Sequence, residues 1–173
     1  MEKYSKRIII NHWLTLVLLV VAWFLGDSLD DARHEGGATI AGYMVHSIVG
    51  GAVLLLTLLR LVYRRTDGIP PPLGDSLLDK VAKGVHHLLY VLLILLPLSG
   101  IMQVLTSDVG KALMAGDASL LPKKFEGVPA HGAHEILVNV LIAVVMVHVL
   151  GALKHQFVTK DNIMARMSLR DKK

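Results

Sequence analysis

Residues Ala133–Phe157 read AHEILVNVLIAVVMVHVLGALKHQF. The run carries an acid at its start and a base near its end, and almost everything between is apolar. A helix needs ~20 such residues to cross the ~30 Å hydrocarbon core of a bilayer, and this run suffices. Two histidines interrupt it, His134 and His148. Fourteen positions at 3.6 residues per turn return the second to nearly the face of the first, ~21 Å further along the axis. Ionisable side chains inside a membrane are costly and face a cavity, a partner or a cofactor. One face of this span therefore presents two imidazoles, one towards each membrane surface.

Three further apolar stretches precede it, and the spans are predicted at approximately 8–25, 38–61, 84–105 and 133–157. Of the 173 residues 53% are apolar and the mean hydropathy is +0.55, outside the balance of a soluble domain. Spanning segments must satisfy their own backbone hydrogen bonds, so helices follow. The expected fold is an all-α membrane protein, a four-transmembrane-helix bundle forming a single membrane domain over 1–173. The first stretch is read as mature structure, since it lacks a small-residue cleavage site and holds Asn11 and His12 within its apolar run. Cysteine is absent, which excludes disulfides, thiolate-held iron–sulfur clusters and covalently attached c-type haem.

Of the 18 Lys and Arg residues, fourteen precede the first span, lie at the end of the second or between it and the third, or lie at the end of the fourth or beyond it. Arg33, Lys111, Lys123 and Lys124 occupy the other two connections. Such asymmetry places both termini in the cytoplasm and the 106–132 connection outside. Nucleic-acid binding would need a basic surface on a soluble element, and none is visible. The 66–79 connection, with Pro70, Pro71 and Pro72, reads as an extended link. In the 106–132 connection, Val109–Met114 allows a short turn of helix. Pro97 should bend the third span.

By depth, the intramembrane histidines sort into two layers. His12 and His148 lie near the cytoplasmic ends of the first and fourth spans; His46 and His134 lie towards the outside of the second and fourth. Bis-histidine ligation fills both axial positions of an electron-transfer haem, and two such layers suit two haems b, one nearer each surface. A single such histidine would be read as a packing residue bonded between helices; four at two matched depths favour cofactor ligands. Gly50, one turn after His46, lets a porphyrin approach the backbone or serves close helix packing. Arg60 shares that face at the cytoplasmic end, placed to pair a haem propionate or to anchor the interface. His86 and Tyr90, one turn apart, and His155, seven residues after His148, are candidates for hydrogen-bond and proton partners of a quinone ring, or are interfacial side chains. His131, His134 and Glu135 hint at a metal site, but His134 is better used by the haem.

The chain resembles the bacterial cytochrome b561 family along nearly its whole length. The resemblance rests on Ile10-Asn11-His12-Trp13, on His46 with Gly50 and Arg60, and on His86 with Tyr90. Leu96-Pro97-Leu98-Ser99-Gly100, His134-Glu135, His148 and Lys160-Asp161-Asn162 complete it. It implies four helices and two haems b in a bacterial inner membrane, His12 and His148 holding one and His46 and His134 the other. Some members resemble superoxide oxidases that pass electrons to ubiquinone, which implies superoxide or another periplasmic donor outside and quinone as the acceptor.

The expected function is therefore di-haem transmembrane electron transfer, an oxidoreductase linking an external one-electron donor to the ubiquinone pool. The competing reading is a haem-bearing membrane anchor for a quinone-linked dehydrogenase or hydrogenase whose catalysis sits in a soluble subunit. A haem-free transporter should carry intramembrane carboxylates, and these occur only near the span ends.

Overall fold

The computed structural model describes residues 2–72 and 74–170; Lys172 and Lys173 of the basic tail lie outside them. Four long helices dominate it. Helix α1, Lys6–Glu35, opens on Ser5, whose hydroxyl accepts from the Ile8 amide, and closes at Gly36 in the left-handed region. That pairing of a polar N-cap with a C-terminal glycine satisfies orphan backbone groups at both ends. Helix α2, Ile40–Thr66, is capped by Thr39, and α3, Leu77–Thr106, by a reciprocal box of Ser76 and Asp79. A short α4, Asp108–Ala115, and a 3₁₀ turn at Ala118–Leu120 lead to α5, Pro129–Leu153, with proline in its first turn. The chain then widens into a π turn over Lys154–Thr159 and ends in a 3₁₀ segment, Ile163–Met167.

All four long helices are long and apolar enough to cross a membrane, but they outrun the apolar stretches. Helix α1 has 30 residues, ~45 Å at 1.5 Å per residue, against ~30 Å of hydrocarbon. Its Asp27–Glu35 end is polar and projects beyond. Hydropathy marks the bilayer, whereas the caps mark where the helix stops. The same reasoning moves the start of α3 back to Leu77 and that of α5 to Pro129, so the proline-rich link shortens to Asp67–Ser76. Helix α3 continues through Pro97. The short turn expected at Val109–Met114 is α4, whose Val109 and Ala112 are buried.

The bundle exposes large apolar side chains and buries a few polar ones beside its apolar core. Ile10, Ile48, Leu105, Ile136 and Phe157 are exposed, while Asn11, Thr15 and Thr57 are buried. Apolar side chains need no burial when lipid surrounds them, and buried polar groups must find partners. Thr15 and Thr57 donate to carbonyls one turn back in their own helices, Asn11 and Val53. Asn11 Nδ2 reaches across to the Leu56 carbonyl of α2 at 3.0 Å, fastening α1 to α2.

Helix α1 packs on α2, α3 packs on α5, and α2 joins the two hairpins through α3. The central apolar cluster is Val53, Leu92, Leu93 and Leu141. Leu141 stands midway between His134 and His148, so this plug lies between the two histidine levels. At the end holding both termini, Trp13 Nε1 donates to Met167 O at 2.9 Å and Arg166 to Pro71 O at 2.8 Å. The C-terminal segment thus straps α1 to the Asp67–Ser76 link. At the opposite end buried Arg33 pairs with Asp30, donates to Lys123 O at 3.0 Å and lies over the Phe125 ring, holding the loop after α4 against α1.

Candidate functional site

The four intramembrane histidines come together as two pairs. His12 of α1 faces His148 of α5 with ring centres 6.3 Å apart and planes at 73°. His46 of α2 faces His134 of α5, again at 6.3 Å and at 74°. Each pair joins the α1/α2 hairpin to α5, because the fourteen-residue spacing in α5 puts both of its histidines on one face. The His12–His148 pair is called terminal-side here, being near both chain ends, and His46–His134 loop-side.

Two imidazoles bound to opposite sides of one metal ion, through metal–nitrogen bonds of ~2 Å with ring centres about 1 Å further out, stand ~6 Å apart. Both pairs have that separation. Gly50, half-buried on α2 one turn after His46, has no heavy atom within 4 Å of where a Cβ would stand. Such a position accepts a flat group against the backbone.

The loop-side histidines are held from behind in a matched way. A Cβ on Gly26 of α1 would meet His46 Cε1 at 3.2 Å, and one on Gly100 of α3 would meet His134 Cε1 at 3.3 Å. His134 Nδ1 is 3.2 Å from Leu96 O and 2.9 Å from Ser99 Oγ. Because a carbonyl only accepts, His134 carries its proton on Nδ1 and keeps Nε2 bare as a ligand atom. His46 Nδ1 is buried without a hydrogen-bond partner.

The terminal-side pair sits among cations and a third imidazole. His86 lies 5.1 Å from His148. Arg60 Nη1 is 3.1 Å from His12 Nδ1, and the guanidiniums of Arg60 and Arg64 lie 5.7 and 5.5 Å from the Tyr90 ring centre. Among the described residues no carboxylate forms an ion pair with either arginine. A His12 that offers Nε2 to a metal holds its proton on Nδ1, so two donors then meet at 3.1 Å. Arg60 Nε and the Tyr90 hydroxyl are also buried without partners. Unsatisfied buried donors are costly, and this set calls for one anionic acceptor, as a carboxylate side arm of a porphyrin supplies. The donor set, two imidazole pairs with an arginine–tyrosine cradle, fits haem.

His155 lies in the π turn, where its Nδ1 is 2.5 Å from Asp161 Oδ2. Asp161 sits between Lys160, which closes the π turn, and Asn162, which opens the 3₁₀ segment, both left-handed with φ 58°. His131 is not part of either pair. It stacks on Phe125 at 4.2 Å and approaches Glu135 at 3.3 Å, and among the described residues no three His, Asp or Glu side chains form a metal cluster.

Sequence reading missed Gly26, and named Ser99, Gly100 and Asp161 only within motifs, with no role of their own. Glycines in apolar spans look like packing residues, and only the neighbour across the interface shows otherwise. Ser99 carried a signal, being a hydroxyl two residues after an intrahelical proline.

The chain is similar in sequence to known proteins along nearly its whole length. The family model for prokaryotic cytochrome b561 matches residues 3–168. A cytochrome b562 of Cereibacter sphaeroides is 32% identical over 95% of this chain and 94% of its own length. A probable superoxide oxidase CybB of Yersinia pestis is 30% identical over 96% of each chain. Cytochrome b561 homolog 1 of Escherichia coli is 27% identical over 99% of this chain and 100% of its own.

Proposed function

The chain belongs to the prokaryotic cytochrome b561 family of multi-pass membrane electron-transfer proteins, and from that premise we propose that it holds two haems b and carries single electrons from a periplasmic donor, superoxide among them, to ubiquinone. The observation that carries the reading is the pair of matched imidazole separations. His12 with His148 would hold one haem, His46 with His134 the other. Bound there, each haem would supply a reversible one-electron couple, with the two imidazoles of its pair as the protein's ligands.

The chain's own residues do the rest. Arg60 and Tyr90 bind a propionate at the terminal-side level; Gly50 gives the loop-side ring room. Val53, Leu92, Leu93 and Leu141 exclude water between the levels. The distribution of Lys and Arg orients the terminal side to the cytoplasm. There His86, Tyr90 and His155 are the quinone-site candidates, and Asp161 fixes which nitrogen of His155 bears the proton. The relative named a probable superoxide oxidase supports superoxide as the donor.

Purified chain in detergent or nanodiscs, given a superoxide source and ubiquinone-1, should reduce the quinone and lose that activity with either ligand pair removed. Turnover with no added subunit supports the reading. Haem-loaded protein that cannot turn over alone, but does so with a soluble dehydrogenase, overturns the donor assignment in favour of an anchor subunit.

A further inference from the structure

The two imidazole pairs are alike in separation and tilt, yet unlike in what stands behind them. On the loop side the groups behind His134 accept. Ser99 Oγ donates to Leu96 O at 2.7 Å, so the lone pair it turns to His134 Nδ1, 2.9 Å away, receives that proton. Leu96 O accepts from the same Nδ1 at 3.2 Å. On the terminal side the groups donate or are cationic: Arg60 is 3.1 Å from His12 Nδ1, and Arg64 lies beside it at the Tyr90 ring.

An acceptor behind an axial imidazole raises the ligand's basicity and stabilises the oxidised metal. A nearby cation disfavours the extra positive charge of the oxidised state. A haem b carries two carboxylate side arms, so the guanidiniums act by what they add relative to the same site without them. Both effects push the same way.

We propose that Ser99 is a positioning residue that lowers the potential of the loop-side centre, that Arg60 and Arg64 raise the terminal-side one, and that electrons are therefore driven inward. The inference rests on the reading of each pair as haem ligands. Each centre exchanges one electron, and at equilibrium a single electron resides on the terminal side, leaving the loop side oxidised.

The test is spectroelectrochemical titration of the full chain in nanodiscs, with haem per chain measured on the same samples. Wild type should show two resolved midpoints. Ser99→Ala should shift only the lower one upward, and Ser99→Thr, which keeps the hydroxyl, should restore it. Arg60→Gln should shift only the upper one downward. Should alanine at 99 fail to hold haem, Ser99→Cys, a weaker acceptor, should move the lower midpoint in the same direction by less. With two haems present, a Ser99→Ala that moves the upper midpoint or neither, or an Arg60→Gln that moves the lower one, overturns this inference alone. A haem content other than two per chain instead removes the reading beneath it.

Discussion

Replacing Gly26 tests whether the backs of the ligand rings matter. A Cβ at Gly26 would stand 3.2 Å from His46 Cε1 and 3.7 Å from Nδ1. Carbon atoms rest at about 3.5–4.0 Å, so alanine demands a retreat of about 0.3–0.8 Å. Metal–ligand distances hold within ~0.2 Å, and a ring clamped between α1 and a haem cannot give that much without loosening its bond. Alanine at a helical glycine otherwise gains about 1 kcal/mol of helix propensity. The expected result for Gly26→Ala is therefore a well-folded protein whose loop-side haem is weakly held. Gly26→Leu adds a branched side chain to a filled space, an overpacking of ~1–3 kcal/mol, or about 5- to 150-fold in haem affinity. The assay is pyridine haemochrome quantification of the purified variants, with thermal unfolding as the check on folding. Haem should fall from two per chain towards one, while absorbance from the His12–His148 centre persists. A Gly26→Leu protein with two haems and an unaltered spectrum would refute the argument, as would loss of both haems from a folded chain.

Two neighbouring glycines on α2 give a sharper contrast. Gly50 is half-buried and Gly51 exposed, with nothing within 4 Å of either Cβ position; Gly50→Leu should cost the loop-side haem and Gly51→Leu should leave haem content unchanged. At the terminal side, the Ser5 hydroxyl and the Arg7 guanidinium hold the Asp67 carboxyl below the usual carboxylate range. A depressed folded-state value means that the contribution is present above the unfolded value, ~3.9, and is lost as pH falls through the folded one. Asp67→Asn should remove that increment near neutrality and flatten the acid limb of a melting-temperature profile; an unchanged limb would count against the pairing. On the loop side, Arg33→Met removes the donor to Lys123 O and the cation over Phe125. Trypsin should then cut after Lys123 or Lys124 faster than in wild type, and an equal rate would show that the loop is held elsewhere.

Much of this was legible in the sequence, for identifiable reasons. Hydrophobic length fixes the number of spans, and the α5 spacing puts His134 and His148 on one face whatever surrounds them. Depth alone then pairs His12 with His148 and His46 with His134, because partners at different levels cannot meet. What stayed hidden depends on which helix lies beside which. Nothing along α1 says that Gly26 backs a ring on α2, or along α3 that Gly100 backs one on α5. Arg60 could be placed on the face of His46 by its spacing, but its contact with His12 needed the α1–α2 packing. Helix ends were only half read. Ser76 and Asp79 spell a capping box and Pro129 a first-turn proline, yet hydropathy set the boundaries. The π turn that carries His155 has no simple sequence mark, and Asp161 was visible only as part of Lys160-Asp161-Asn162.

The central claim is that two imidazole pairs hold two haems in one chain. It is tested most directly by a reduced-minus-oxidised visible spectrum of the purified membrane protein, with haemochrome quantification per chain. Two haems b per chain are expected, falling to one when any single member of His12, His46, His134 or His148 becomes alanine. A chain with one haem or none, or four variants that all keep full haem, would contradict it.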